Sequence, residues 1–182
     1  MPQITDISLI GRRYMDVFGA RPAPSFRDYL AHGSGGTGAM LGYRRADEAG
    51  LFLEAYLDCP VEACLEAALG RRIERSDVVE IGNFAADNAM AMIELWGAAA
   101  NDLAGGSEIA VATLTAPLRR IFARIGVPLI VLAPARPERL GAAAAEWGRY
   151  YQTDPQVCAG IIREGQGAIA AFMARRNRRE AA

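Results

Sequence analysis

Apolar and polar positions alternate along this chain with two periods, and the switches between them mark out its elements. Ile7, Ile10, Tyr14, Val17 and Phe18 recur at helical spacing and stop at Gly19, which predicts an amphipathic helix lying on a sheet. Pro22 and Pro24 predict a loop, Ser25 a cap for a short second helix carrying Phe26, Tyr29 and Leu30, and HGSGGTG a flexible turn. Ala39–Ala46 and Gly50–Leu57 read as two strands of an antiparallel hairpin, turned at Asp47-Glu48-Ala49. Asp58 and Pro60 then open a helix with Val61, Cys64, Leu65 and Ala68 on its core face and Gly70 at its exit.

The second half repeats a simpler rhythm. VVEIGNFA, from Val78 to Ala85, predicts a strand that passes at once into a helix over about 87–103, with Asp87 as a cap and Gly105-Gly106 beyond its end. EIAVATLT is a strand, and Thr115 caps a helix that Gly126 stops. VPLIVLAPA is a continuous apolar run, the pattern of a strand buried on both faces. A helix between Glu138 and Tyr151, a last strand in QVCAGII, and a C-terminal helix fraying from about 174 complete the chain. An antiparallel part followed by parallel crossover units predicts a mixed α/β (α+β) sheet with helices on both faces. One domain over 1–182 fits that length, and the GNAT-like fold is the best match to that element order.

Composition narrows the function classes. Twenty basic residues, all arginine, against 21 acidic ones give a net charge of −1, without the basic excess of a nucleic-acid binder. The longest apolar run, Ile125 to Ala135, has 11 residues, too few to span a bilayer, and charged residues interrupt the N-terminal stretch where a secretory signal would lie. A cytoplasmic protein with no stable membrane insertion is the expectation. Cys59, Cys64 and Cys158 form neither a disulfide framework nor a CxxC metal pair, so reduced thiols and no metal are expected. His32, the only histidine, sits by the glycine-rich loop, where a surface position is the plainer reading than a catalytic dyad. Open α/β folds place ligand chemistry at strand-to-helix junctions, which directs attention to Glu80-Ile81-Gly82-Asn83.

Three ordered segments carry a resemblance. GYRRADEAGLFLEAYLDCPVE, VVEIGNFA and WGRYYQTDPQVCAG together resemble the thermostable hemolysin family, over about residues 20–165. That family looks related to acyl-homoserine-lactone synthases and N-acyl amino acid synthases, which share a GNAT-like fold with a splayed central sheet. In those synthases a Glu-x-x-Arg-Phe segment occupies the corresponding strand. Here Glu80 and Phe84 are kept, and Asn83 stands where Arg would be.

The resemblance implies an N-acyltransferase that moves a fatty acyl group from an acyl carrier protein or acyl-coenzyme A thioester to the amine of an amino acid or similar metabolite. No permanently bound cofactor is implied. Glu80 is the candidate base, since burial raises a carboxyl pKa, with Glu54 on an adjacent strand sharing the acceptor amine and Tyr150 and Tyr151 as candidate proton donors to the leaving thiolate. Either glutamate is alternatively a structural carboxylate paired with an arginine such as Arg44, and the two tyrosines aromatic caps of the core. Gly82, Asn83, Phe84 and Ala85 are candidate donor-binding positions, whose backbone groups would hold the pantetheine arm and the oxyanion. The glycine-rich pyrophosphate loop of coenzyme A users is missing after Phe84, and Asp87 would repel a pyrophosphate, which favours a carrier-protein donor. A carrier is acidic, so Arg71, Arg72, Arg75, Arg119 and Arg120, with Arg124, are candidate docking residues, a solvated face being the alternative. The family's name suggests a membrane-active lytic protein as a different class, and a catalytically silent GNAT-like binding module is a third. The small-residue stretch GAAAND could pack on a second subunit or on its own sheet.

Overall fold

A computed structural model describes residues 8–22, 25–34 and 37–181. Of the residues used above, Ile7, Pro24, Gly35 and Gly36 lie outside that set. Six strands, β1 (Asp28–Ser34), β2 (Thr37–Arg45), β3 (Val78–Ala86), β4 (Ile109–Leu114), β5 (Ile130–Pro134) and β6 (Gln156–Ile161), form one mixed sheet in the order β1-β2-β3-β4-β6-β5. Only β3 and β4 run parallel; the other neighbours are antiparallel. The helices are α1 (Ser8–Phe18), α2 (Val61–Leu69), α3 (Ala89–Leu103), α4 (Ala116–Ile125) and α5 (Ile162–Glu180).

Strand alternation divides the core in two. Val79, Leu41 and Ala39 face one side, where they meet Ile93, Trp96 and Ala99 of α3 and Ile162 and Ile169 of α5. Val78, Val111 and Val157 face the other, against Val61 and Leu65 of α2 and Leu53 and Tyr56 of the preceding segment. On that same side Ile10 and Tyr14 of α1 cover Met40 and Ala85.

Several expectations are corrected. Phe26, Tyr29 and Leu30 do not share a helix: Tyr29 and Leu30 belong to β1, whose residues Asp28 to Ser34 pair with Tyr43 to Thr37 of β2. The hairpin is therefore β1-β2, one element earlier than predicted. Gly50–Leu57 is not its second strand but holds a 3-10 turn, Phe52–Tyr56, because carboxylates rather than a partner strand take its amides. VPLIVLAPA supplies β5, which is an edge strand with Val131 53% exposed, and the prolines at both ends of the run suit an edge. The helix expected over 138–151 is replaced by 3-10 turns, Pro137–Trp147 and Tyr150–Thr153, the first broken at Gly141 (φ 57°). Asn88, not Asp87, caps α3, its side chain accepting from the Ala91 amide. The C-terminal segment stays helical through Glu180. Cys59 and Cys64, expected reduced, form a disulfide, since the Asp58–Pro60 turn brings their Cα atoms to 6.3 Å.

Candidate functional site

The parallel pair β3-β4 is joined for only four residues, Val78 to Ile81 against Ile109 to Ala112. Beyond Ile81 and Ala112 the two strands run on with no pairing between them: β3 continues to Ala86 beside β2, and β4 continues to Leu114 beside β6. The cause lies in β3. Met40 pairs with Ala85 and Gly42 with Gly82, so Asn83 and Phe84 together oppose the single residue Leu41, which is a β-bulge. Asn83 takes the left-handed conformation (φ 51°), a position asparagine tolerates better than most residues. A bulge bends and twists its strand, and here it accompanies the departure of β3 from β4. Phe26 reinforces the site: its ring lies over Gly42 and Gly82, where an added Cβ would come within 2.7 Å of it, and the Arg44 guanidinium lies 4.5 Å from the ring centroid.

The parting opens a cavity of about 340 Å³, lined by Glu80, Gly82, Asn83, Phe84 and Ala85 of β3 and by Thr113, Thr115, Pro117 and Leu118 across the gap. Residues from both faces of the sheet line it, Phe52, Tyr56, Trp147 and Tyr150 from one and Ile81 and Met92 from the other. A second, apolar cavity of about 90 Å³ lies under α3, α4 and α5, walled by Trp96, Ala99, Leu103, Ala112 and Phe122. Ile81 and Phe84 line both. Trp96 stacks on Phe122 at 3.7 Å and meets Phe84 edge-on, which builds an aromatic wall at that end.

Glu80 is 3% exposed and lines the first cavity. Burial raises its pKa above the ordinary carboxylate value, opposed by the amides of Leu53 and Phe52, each donating at 2.9 Å, and by Arg44, whose Nε lies 3.3 Å from Oε2. Desolvation is the larger effect. The carboxylate thus ties the Phe52–Tyr56 turn to the sheet, with Arg44 as the partner that the structural alternative names, and its raised proton affinity beside a cavity keeps it a candidate acid or base.

The other predicted residues divide clearly. Gly82, Asn83, Phe84 and Ala85 all face the cavity, and the Asn83 amide donates to the Tyr29 hydroxyl at 3.3 Å. Glu54 does not line it. Its carboxylate accepts from Arg75 at 2.7 and 3.2 Å, from the Val61 amide at 3.0 Å and from the Leu51 amide at 3.1 Å. Arg75 foremost pulls its pKa down to about 2. Glu54 therefore sits in a structural ion pair, with Arg75 rather than Arg44 as its partner. Tyr151 stands behind Tyr56, their hydroxyls 2.7 Å apart, and Tyr56 is the one that reaches the cavity. Burial raises both phenols. Tyr56, which the sequence does not single out, reaches the cavity because LFLEAYL, strand-like in composition, winds into a 3-10 turn; the glutamate within that segment and Glu80 are the only signal for it.

The arginines separate into two groups. Arg71 pairs with Glu108, Arg72 with Glu74 at 2.8 Å, and Arg75 with Glu54 and Glu62, all just before the starts of β3 and β4. Arg119 lies at the opposite end of β4, bonded to the Leu114 carbonyl and to Asp154 at 2.6 Å. Arg120 and Arg124 are exposed on α4, which runs back from that end towards the start of β5, and neither lines the cavity. His32 is on β1 beside Glu94, at 3.7 Å, away from the cavity. Among the described residues no group of side chains has the composition of a metal site, and no helix is long and apolar enough to cross a membrane.

The family model for thermostable hemolysin matches residues 5–166. No curated protein matches the sequence. Among solved structures, TofI in a ternary complex with an inhibitor and MTA is similar with a TM-score of 0.56 at 16% identity, over 90% of this chain and 88% of that one. The AHL synthase LasI is similar with a TM-score of 0.53 at 12% identity, over 92% and 90%. FeeM, an N-acyl amino acid synthase from uncultured soil microbes, gives 0.50 at 14% identity, over 88% and 91%. At such identities the likeness is one of fold.

Proposed function

The chain belongs to the thermostable hemolysin family, and on that basis, with the cleft in its sheet, we propose that it is an N-acyltransferase. It moves a fatty acyl group from a pantetheine thioester to the amine of an amino acid or similar small metabolite. The observation that carries this reading is the parting of β3 from β4 beyond Ile81, with a cavity alongside. An opened strand edge offers amide and carbonyl groups at strand spacing, which an extended pantetheine arm, itself a chain with two amides, can pair with. The fold shared with LasI and FeeM, named as an AHL synthase and an N-acyl amino acid synthase, supports the assignment.

In this reading the donor arm lies along Gly82–Ala85, and amides near Phe84 and Ala85 stabilise the oxyanion. The acyl tail passes Ile81 and Phe84 into the apolar cavity beneath α3, since those two side chains border both spaces. Glu80 takes a proton from the acceptor amine as nitrogen attacks the thioester carbon. Collapse of the tetrahedral adduct breaks the C–S bond, and the thiolate leaves with the proton that Glu80 took from the amine, relayed through the Tyr56 hydroxyl, which Tyr151 positions. Glu54 supports the Phe52–Tyr56 turn and stays out of the chemistry.

A carrier protein is the favoured donor. Asp87 lies just before α3, its carboxylate accepting from the Gly38 amide at 2.8 Å, and a carboxylate there repels the pyrophosphate of coenzyme A. Of the arginines, Arg119 stands at the open end of the cleft and Arg120 and Arg124 continue from it as exposed cations along α4, a face that suits an acidic carrier, whereas Arg71, Arg72 and Arg75 are engaged at the closed end. The test is incubation with acyl carrier protein or acyl-coenzyme A and a pool of amines, following free thiol and the mass of N-acyl products. Acceptor-dependent thiol release with a new amide is expected. No release from either donor, with any amine, overturns the proposal.

A further inference from the structure

Two charged side chains line the large cavity, Glu80 and Arg13 of α1. Glu80 has Arg44 opposite it. Arg13 is half-buried and has no carboxylate or hydrogen-bond partner among the described residues. Other partly buried arginines are partnered: Arg44, Arg75 and Arg119 each meet a carboxylate, and Arg45 donates to the Gly106 carbonyl and the Ser107 hydroxyl. A guanidinium does not deprotonate in proteins, so in a space largely walled by apolar groups its charge stays and calls for an anion.

The surroundings indicate which anion. Arg13 follows the register of α1, whose Tyr14 lies on the sheet face that carries Met40, and through strand alternation Arg44 and hence Glu80. Tyr14, Phe18, Trp147 and Tyr150 form a chain of ring contacts at 5.2 to 6.3 Å, and all four line the cavity beside Arg13. A cation, an aromatic wall and a carboxylate on one side of the sheet fit an amine that also bears an acid and an apolar side chain.

We infer that Arg13 anchors the carboxylate of the acceptor, which makes the acceptor an apolar amino acid; this rests on the acyltransferase reading for the identity of the reaction but not for the existence of the site. The guanidinium holds the acid through paired N–H donors, the aromatic belt covers the side chain, and the amine is left toward Glu80. Simple amines and amino-acid amides then bind poorly, because they leave Arg13 desolvated without a counter-charge.

The experiment is isothermal titration of the full chain with N-decanoyl-phenylalanine, N-decanoyl-phenylalaninamide and phosphopantetheine. The wild type is expected to bind the acid about 10- to 100-fold more tightly than the amide, the range of a charge-assisted pair. Arg13→Met, checked for an unchanged thermal midpoint, binds acid and amide alike, and Arg13→Lys recovers part of the preference, since it keeps the charge and loses the fork. Equal affinities for acid and amide in the wild type overturn the assignment. So does a loss in Arg13→Met that falls on phosphopantetheine and spares the acid, which would place the donor phosphate on Arg13. Absence of thiol release from any donor defeats the acyltransferase reading alone and leaves the acid-over-amide preference to be judged separately.

Discussion

Glu54→Gln separates structural support from chemistry and has a magnitude that the structure supplies. Four donors hold the wild-type carboxylate: two from Arg75 and the amides of Val61 and Leu51. Its pKa falls from an ordinary 4.5 to about 2. At about 1.4 kcal/mol for each tenfold change in proton affinity, that depression corresponds to at most about 3.4 kcal/mol of folding free energy. The side chain keeps 22% of its surface in water, and glutamine retains some of the hydrogen bonds, so about 2 kcal/mol is the expected loss at neutral pH. The sign follows from the direction of the shift. A lowered carboxylate pKa stabilises the fold fully above 4.5, and that contribution disappears as pH falls from 4.5 towards 2. Urea unfolding of wild type and Glu54→Gln at pH 7 and pH 3 is the assay, with the gap wide at pH 7 and narrowed at pH 3. A gap equal at both pH values, or a variant as stable as wild type at pH 7, refutes the reasoning.

Three further outcomes are expected. Glu80→Gln lowers kcat/KM by about 10²- to 10⁴-fold, the range of general-base removal. Because burial raises the Glu80 pKa, the wild-type profile falls on the acid side at a pH above 4.5, and this limb vanishes in the variant; an acid limb that persists counts against Glu80 as base. Gly82→Ala puts a Cβ 2.7 Å from a Phe26 ring already pressed on Gly42 and faced by Arg44, at a cost of about 1–3 kcal/mol, and an unchanged urea midpoint contradicts it. Ala99→Leu fills the small cavity under α3 and shifts donor preference towards acyl chains shorter by about three carbons, one for each carbon added in a close-packed space; an unaltered chain-length profile in competition assays places the tail elsewhere.

Elements that carry their own periodic signal were legible in sequence: α1, α2, α3, β3, β4, α4 and β6 lie close to where spacing and caps place them. Those set by distant partners were not. Tyr29 and Leu30 have helix-like spacing from Phe26, yet pairing with β2 makes them strand. LFLEAYL has strand-like composition, yet Glu80, from 27 and 28 residues away, takes the Leu53 and Phe52 amides and winds it into a 3-10 turn. The run Val127–Ala135 suggested a central strand, but the return of β6 between β4 and β5 leaves it on the edge. At the site, the Gly82-Asn83 break was readable because glycine and asparagine are the residues that accept such backbone. Arg13 was not, since nothing local distinguishes a cation facing a cavity from one facing water.

The most direct test of the parted strands as an acyl-donor site is a crystal structure with a non-hydrolysable decanoyl-pantetheine amide. The arm is expected between β3 and β4, bonded to the backbone of Gly82–Ala85, with its tail beyond Ile81 and Phe84. A ligand bound elsewhere, with that gap vacant at saturating concentration, contradicts the account.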